Sequence, residues 1–272
     1  MLGAGKMGEA LLAGLLKAGH ASDALYFTER YDTRASEVSE RLGLRRRAVA
    51  EVAALADVLV VAVKPQDIEP LLADLSEGMA GSARPDRVVV SLCAGLPTAL
   101  FEARLPEGTA VIRVMPNTPM VVGEAMSVVS PGRTATEAQL AEVERLLGAV
   151  GRVLRVPEAQ QDAVTAVSGT GPAYFFYLTE VLIEAGVLVG LSRPVATELV
   201  VQSALGAARM LRESDGPDAH PVVLREAVTS PAGTTAAAVR ELDARGARAA
   251  ISAAVEAARD RSVELGRDDH FK

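Results

Sequence analysis

The chain has 272 residues, 49% of them hydrophobic, and a formal net charge of −7, a length that predicts two domains with a sizeable core. The acidic balance and the lack of a long basic run argue against a nucleic-acid or anionic-membrane surface. The longest apolar strand-like run, Val58 to Val63, is too short to span a bilayer, and a single cysteine excludes an internal disulfide and fits the reducing cytosol.

From the N-terminus, Gly3-Ala4-Gly5-Lys6-Met7-Gly8 precedes Ala10, Leu11, Leu12, Leu15 and Leu16 at helical spacing. In a G-x-G-x-x-G pattern the first glycine makes the turn, the second admits a pyrophosphate and the third lets the helix pack closely. The phosphates are expected on the helix N-terminus. Ordinary tight turns share the pattern, so its weight comes from context. Only Met1 and Leu2 precede it, whereas a central strand has about five residues. The first strand is therefore expected to continue upstream, or to have been clipped.

Leu25 to Thr28 predicts a second strand, Thr33 to Leu42 a helix, Val58 to Val63 a doubly covered parallel strand, and Val88 to Leu92 and Ala110 to Val114 further strands. This alternation predicts a Rossmann-type, doubly wound parallel sheet. Glu29 lies about 20 residues past the glycine loop, where a carboxylate binds a ribose 2′-hydroxyl and favours NADH, while Arg30 and Arg34 offer cations to the 2′-phosphate of NADPH. Both readings stay open, beside that of a solvated helix start with charges of both signs.

Ala62-Val63-Lys64-Pro65-Gln66 closes the apolar strand, with Pro65 opening the next helix. Ligands bind at the carboxyl ends of such strands, so Lys64 is expected beside the dinucleotide, the alternative being a snorkelling surface lysine. Ser91-Leu92-Cys93-Ala94-Gly95 and Arg113-Val114-Met115-Pro116-Asn117-Thr118-Pro119 end two more strands. Two prolines bracketing Asn117 and Thr118 make a rigid loop suited to presenting backbone groups to a ligand ring. Cys93 reads as a small buried hydrophobe rather than a nucleophile, since no histidine lies near it in sequence. Thr134-Ala135-Thr136-Glu137 reads as the capping box of a helix to Leu147, and Val153 to Val156 as the last strand. Pro157 marks the boundary between a dinucleotide-binding domain over 1–156 and an all-helical substrate and dimerisation domain over 157–272.

Helices are predicted over Pro172 to Gly190, from Ser192-Arg193-Pro194 to Leu211, and over His220 to Val228, Thr234 to Arg245 and Ala247 to Leu265, with Glu213 to Asp218 as a mobile loop. In Val167-Ser168-Gly169-Thr170-Gly171-Pro172 a small-residue loop turns into the most apolar of these helices. Its two glycines permit backbone conformations closed to other residues, and Pro172 fits a first helical turn. Tyr174 to Tyr177 is an unbroken aromatic run. Apolar residues cover most of the circumference, so the helix is expected to be buried inside a domain or against a second subunit. Val228-Thr229-Ser230-Pro231-Ala232-Gly233-Thr234-Thr235 gathers hydroxyls and unpaired N–H groups at a helix start, which suits a carboxylate or serves as an ordinary Ser/Thr cap.

The glycine loop, Val63-Lys64-Pro65, Met115 to Pro119, Ser168 to Tyr174 and Thr229 to Thr235 occur in the order and spacing of the pyrroline-5-carboxylate reductase family, which the chain resembles over essentially its whole length. The resemblance implies reduction of L-1-pyrroline-5-carboxylate to L-proline with NAD(P)H, the last step of proline biosynthesis. It further implies a cytoplasmic homodimer, in many members built into a decamer, with no metal. The dinucleotide is then expected along Gly3, Gly5, Lys6, Met7 and Gly8, at Glu29, Arg30 and Arg34, and along Ala62, Val63, Lys64, Pro65 and Gln66. Its nicotinamide falls near Ala94, Gly95, Met115, Pro116 and Asn117. NADPH is expected first as reductant and NADH second. Ser230, Gly233, Thr234 and Thr235 hold the substrate in this reading, with Thr235 at the ring nitrogen as the catalytic candidate.

The chain departs from the family pattern at Thr170, where Ser is usual, and at Ala232, where Gly is usual; the second matters if that residue needs a positive φ. The alternatives are a related two-domain dehydrogenase or imine reductase, and a non-catalytic dinucleotide-binding protein. Dehydrogenases of the β-hydroxyacid type rely on a lysine in the helical domain, but no lysine lies between Lys64 and Lys272. None of the histidines, His20, His220 and His270, is well placed as a general acid.

Overall fold

Runs of Val, Leu and Ile form a twisted sheet whose two faces are both covered. The computed structural model describes residues 1–80, 84, 86–216 and 220–266, and only the backbone of Pro65; Asp218, His270 and Lys272 lie outside the described residues. The strands are β1 (Val58–Val61), β2 (Val88–Ser91), β3 (Ala110–Met115), β4 (Ala125–Pro131) and β5 (Gly151–Arg155), in the spatial order β1-β2-β3-β4-β5. All neighbours are parallel except β3 and β4, with Val60 opposite Val90, Val90 opposite Ile112 and Val114 opposite Val129.

Alternate residues of each strand point to opposite faces. Val60, Val90, Ile112 and Val114 pack with Leu11, Leu12 and Leu15 of α1 (Lys6–Lys17) and with Leu140, Val143 and Leu147 of α6 (Glu137–Gly148). On the other face Leu59, Val61, Val89 and Val111 meet Val52 of α3 (Val49–Leu55), Ile68, Leu72 and Leu75 of α4 (Ile68–Ala80) and Phe101 of α5 (Thr98–Arg104). Each such side chain contributes about 1.5–3 kcal/mol through burial. The remaining helix of this part is α2 (Asp32–Leu42).

Leu2 alone fills the position of the first strand. It is fully buried and bridges Thr28 on one side and Val61 on the other. Its N–H donates to Val60 O at 2.7 Å and its carbonyl accepts from Ala62 N at 2.8 Å. The expected second strand is likewise reduced to isolated bridges at Phe27 and Thr28. The antiparallel β4 was absent from the sequence reading. The capping box belongs to Thr136 and Gln139 rather than Thr134 and Glu137: Gln139 N–H donates to Thr136 Oγ1 at 3.3 Å, while the Thr134 hydroxyl is drawn to Thr109 O at 2.8 Å.

Past β5 the chain is helical: α7 (Gln161–Val164), a π-helical turn at Thr165–Gly169, α8 (Gly171–Leu188), α9 (Arg193–Glu213), α10 (Pro221–Ala227), α11 (Thr234–Ala244) and α12 (Ala247–Leu265). Contacts divide the chain into two units, Met1–Pro172 with Ala257–Lys272, and Ala173–Glu256. Segment 157–172 thus packs with the sheet. In the second unit the apolar girth of α8 lies open: Phe175, Phe176 and Tyr177 are 68%, 70% and 65% exposed, and Leu199 and Leu205 of α9 are exposed too. The burial expected for α8 is therefore not supplied by the described residues of its own chain.

Candidate active site

The glycine loop owes its shape to two close approaches. Gly3 has φ +93°, and a Cβ there would stand 2.9 Å from Ala62 O; a Cβ at Gly8 would stand 2.3 Å from Gly3 O. Gly5, between them, has nothing within 4 Å. The first and third glycines close the turn, and the second leaves open space at the N-cap of α1, where no side chain caps the N–H groups. Free N–H groups at a helix start attract an anion, so the cradle fits a dinucleotide diphosphate. Lys6 is exposed, Met7 half-buried, and Ala4 fully buried.

At the end of the short second strand, Glu29 accepts from Ala4 N–H and Tyr31 N–H, both at 3.1 Å. Arg34 Nε donates to Ala4 O at 3.0 Å, and its guanidinium is paired with Glu9 and Glu37. The hydrogen bond to Glu9 is the main reason its pKa rises. Arg34, expected to face a 2′-phosphate, is thus committed to carboxylates of α1 and α2 and to the Ala4 carbonyl. Arg30 is exposed, 3.3 Å from Asp67 and 5.9 Å from the Tyr31 ring centre.

Two strand-end segments meet beside this loop. Val63 packs against Gly3, and Lys64 and Gln66 are exposed in a turn around Pro65. The Cys93 thiol points at Val63 O, 3.4 Å away, and burial pushes its pKa up to about 11. That is a structural cysteine, as expected. Gly95 has φ +78° and lies under the end of α12, whose Leu265 Cβ would be 3.2 Å from a Cβ added to it.

The Met115-Pro116-Asn117 loop is tied to the Ser168-Gly169 segment. Asn117 Nδ2 donates to Ser168 O at 3.3 Å, and its Oδ1 accepts from Met126 N–H at 2.9 Å. A Cβ on Gly169 would fall 2.5 Å from Met115 Cε. Neither Gly169 nor Gly171 has a positive φ; Gly169 is required for space, and Gly171 opens α8 one residue before the predicted start. Thr170 N–H closes the π turn on Thr165 O at 2.8 Å, a rare geometry concentrated at functional sites.

A buried polar group behind these loops was not legible in the sequence. Arg113 of β3, 7% exposed at its side chain, lies 3.5 Å from Glu158 and 3.9 Å from Asp162. Glu158 accepts from Thr98 N–H at 2.8 Å and from the Thr98 hydroxyl at 2.7 Å. Asp162 accepts from Ser262 Oγ at 2.7 Å. Apart from Glu158 and Asp162, four residues from each other, these residues are far apart in sequence, and no local pattern announces their meeting.

In the second unit, α11 begins at Thr234 with Gly233 as N-cap and no side-chain cap. Among the described residues the hydroxyls of Ser230, Thr234 and Thr235 have no hydrogen-bond partner, so the turn presents free donors beside free N–H groups. A Cβ on Gly233 would collide with Ser230 Oγ at 2.3 Å. Ala232 has φ +57°, the one non-glycine residue in the left-handed region among those described. The substitution of Ala for the usual Gly therefore falls on a position that favours glycine. His220 Nδ1 accepts from Val222 N–H at 3.2 Å and caps α10, a structural role.

The dimerisation model of pyrroline-5-carboxylate reductase matches residues 158–265, and a model described as NADP oxidoreductase, coenzyme F420-dependent, matches residues 1–95. The chain is 47% identical to pyrroline-5-carboxylate reductase of Mycobacterium tuberculosis, covering 97% of this chain and 95% of that protein. Among solved structures it is similar to a pyrroline-5-carboxylate reductase from Coxiella burnetii (TM-score 0.90, 33% identity, 98% and 97% of the two chains). It is also similar to the pyrroline carboxylate reductase of Plasmodium falciparum with NADP bound (TM-score 0.84, 29% identity, 98% and 97%).

Proposed function

The chain belongs to the pyrroline-5-carboxylate reductase family, and from that premise we propose how its residues divide the work. It reduces L-1-pyrroline-5-carboxylate to L-proline with NAD(P)H, and it oligomerises through its helical part. The observation that carries this is the match over 97% of the chain, together with the two family models, one over residues 1–95 with the glycine loop and one over residues 158–265 with the Thr234 helix start.

NAD(P)H supplies a hydride to the ring carbon of the imine while the nitrogen gains a proton. The open cradle at Gly5, closed by Gly3 and Gly8, receives the diphosphate, with Lys6 and Met7 beside it. Glu29 and Arg30 meet the adenosine ribose, one suited to a diol and the other to a phosphate; NADPH is placed first on the family resemblance. Arg34 acts one step back, neutralising Glu9. Ala62, Val63, Lys64, Pro65 and Gln66 line the next strand end, and Ala94, Gly95, Met115, Pro116 and Asn117 receive the nicotinamide. The rigidity of the last loop, tied by Asn117 to Ser168, supports that role.

Ser230, Gly233, Thr234 and Thr235 hold the substrate carboxylate and ring, supported by their free donors at an uncapped helix start. Thr235 is the catalytic candidate at the ring nitrogen. A protonated imine is already electrophilic, so orientation supplies most of the acceleration. The division between domains is proposed at residue 156, supported by the dimerisation model beginning at residue 158. A cytoplasmic homodimer, assembled further into a decamer, completes the reading.

The test is consumption of NADPH or NADH by the purified chain with pyrroline-5-carboxylate, with proline identified as product. Tight dinucleotide binding without turnover of any cyclic imine overturns it in favour of a non-catalytic dinucleotide-binding protein.

A further inference from the structure

We propose that Arg113, Glu158, Asp162 and Ser262 form a positioning network that sets the geometry of the Leu92–Pro97 loop, and through it the affinity for the nicotinamide half of the cofactor. The functional part of this proposal rests on Ala94 and Gly95 lying at the nicotinamide.

The loop joins β2 to α5 and is gripped at its far end and at its centre. At its far end Glu158 accepts both the N–H and the hydroxyl of Thr98, fixing the first residue of α5. At its centre Gly95 lies against the end of α12. A Cβ on Gly266 would come within 2.6 Å of Gly95 O, and one on Gly95 within 3.3 Å of Gly266 N. Two glycines therefore meet backbone to backbone with no space for a side chain on either.

What holds α12 there is Ser262, 3% exposed. Its hydroxyl donates to Asp162 at 2.7 Å, and its carbonyl accepts from Gly266 N–H at 3.2 Å. One residue thus links the carboxylate to the backbone that touches Gly95. Arg113 faces both carboxylates from β3, and among the described residues no other charged side chain is paired with it. It stands two residues before Met115, so the same guanidinium sits beneath a second loop assigned to the nicotinamide. The buried cation lies at ion-pair distance from both carboxylates, with one guanidinium nitrogen making no hydrogen bond among the described residues, and losing either carboxylate leaves charge unpaired in a poorly solvated place. Glu158 and Asp162 each spend a second contact on one grip of the loop.

Ser262 is a positioning residue, acting through Gly266 on Gly95. The readout that separates this from plain stability is the cofactor cut in two. Dissociation constants are measured by calorimetry for NADPH and for the 2′-phosphorylated adenosine half alone, on wild type, Ser262→Ala and Gly266→Ala. Ser262→Ala removes the hydroxyl grip, and Gly266→Ala forces the helix end off Gly95 while keeping that grip. Both are expected to weaken NADPH at least about fivefold and leave the adenosine fragment within about twofold.

Gly266→Ala decides the question if Ser262→Ala does not fold. Equal losses for both ligands, or unchanged NADPH affinity in a folded variant, overturn the proposal. Wild-type protein that binds NADPH but does not reduce the imine tells against the proposed reaction, and the binding comparison still decides the network.

Discussion

Glu29 and Arg34 hold the same residue of the glycine loop from opposite sides, Glu29 through the amide of Ala4 at 3.1 Å and Arg34 through its carbonyl at 3.0 Å. Cofactor choice follows from what this leaves unspent. With the adenosine ribose at this strand end as proposed, Glu29 would repel a 2′-phosphate and Arg30 would attract one, so the two reductants are expected within about tenfold of each other in kcat/KM. Glu29→Ser should shift the ratio towards NADPH and Arg30→Ala towards NADH. Steady-state kinetics with both reductants checks this, and a shift of either variant in the opposite sense counts against the assignment.

Ala232 pays for its left-handed φ of +57°, a conformation costing an L-residue roughly 1–2 kcal/mol. Ala232→Gly relieves that strain but loosens the unfolded chain by about 0.4–1 kcal/mol. The net expectation is a gain of about 0.5–1 kcal/mol, read as a higher urea midpoint at fixed protein concentration, with kcat/KM retained. A lower midpoint means that the turn does not need this φ.

Cys93 is held protonated by burial, its pKa pushed up to about 11. Iodoacetamide is expected to leave the folded protein unmodified over an hour at neutral pH and to react at once in denaturant. The unfolded thiol loses its proton near pH 9 while the folded one keeps it, so this group's contribution to stability is intact below pH 9 and declines as pH rises towards 11. Rapid alkylation of native protein is the result that contradicts this burial.

Thr235→Ala removes a hydroxyl that has no partner among the described residues, so its loss should appear in catalysis rather than stability. A hydrogen bond to a charged group contributes about 1.5–3 kcal/mol, which corresponds to a ten- to two-hundredfold fall in kcat/KM. His220→Ala should do the reverse, lowering stability by about 0.5–2 kcal/mol through the lost cap of α10 while sparing kcat/KM. Wild-type kinetics in the first variant, or a thousandfold loss in the second, reverses the two roles.

The parts of this fold legible in the sequence are those written locally. The glycine loop, the continuous apolar run of β1 and the helix starting at Ala247 carry their own period and boundaries. β4 does not: its serines, Ser127 and Ser130, are fully buried and break the apolar pattern, because their environment comes from across the sheet. Ser130, for one, accepts from Gln161 at 2.7 Å and donates to Val156 O at 2.8 Å. The capping box failed for a related reason. Two Thr-x-x-Glu/Gln patterns overlap, and the distant Thr109 carbonyl settles which threonine is free to cap. Arg113, Glu158, Asp162 and Ser262 lie beyond any local rule. The candidate substrate turn was legible as chemistry, yet the left-handed strain at Ala232 is visible only in the backbone.

The open aromatic girdle of α8 has a kinetic side. A newly made chain whose sheet has already formed still displays Phe175, Phe176 and Tyr177 to water, the kind of surface that draws in unrelated chains as readily as its own copy. Assembly is then a race in which the correct encounter is second order in concentration, and dilution acts as a denaturant. For a two-chain equilibrium each tenfold drop in concentration weakens the assembled state by about 1.4 kcal/mol, so the assembled fraction of this protein belongs to the solution as much as to the sequence.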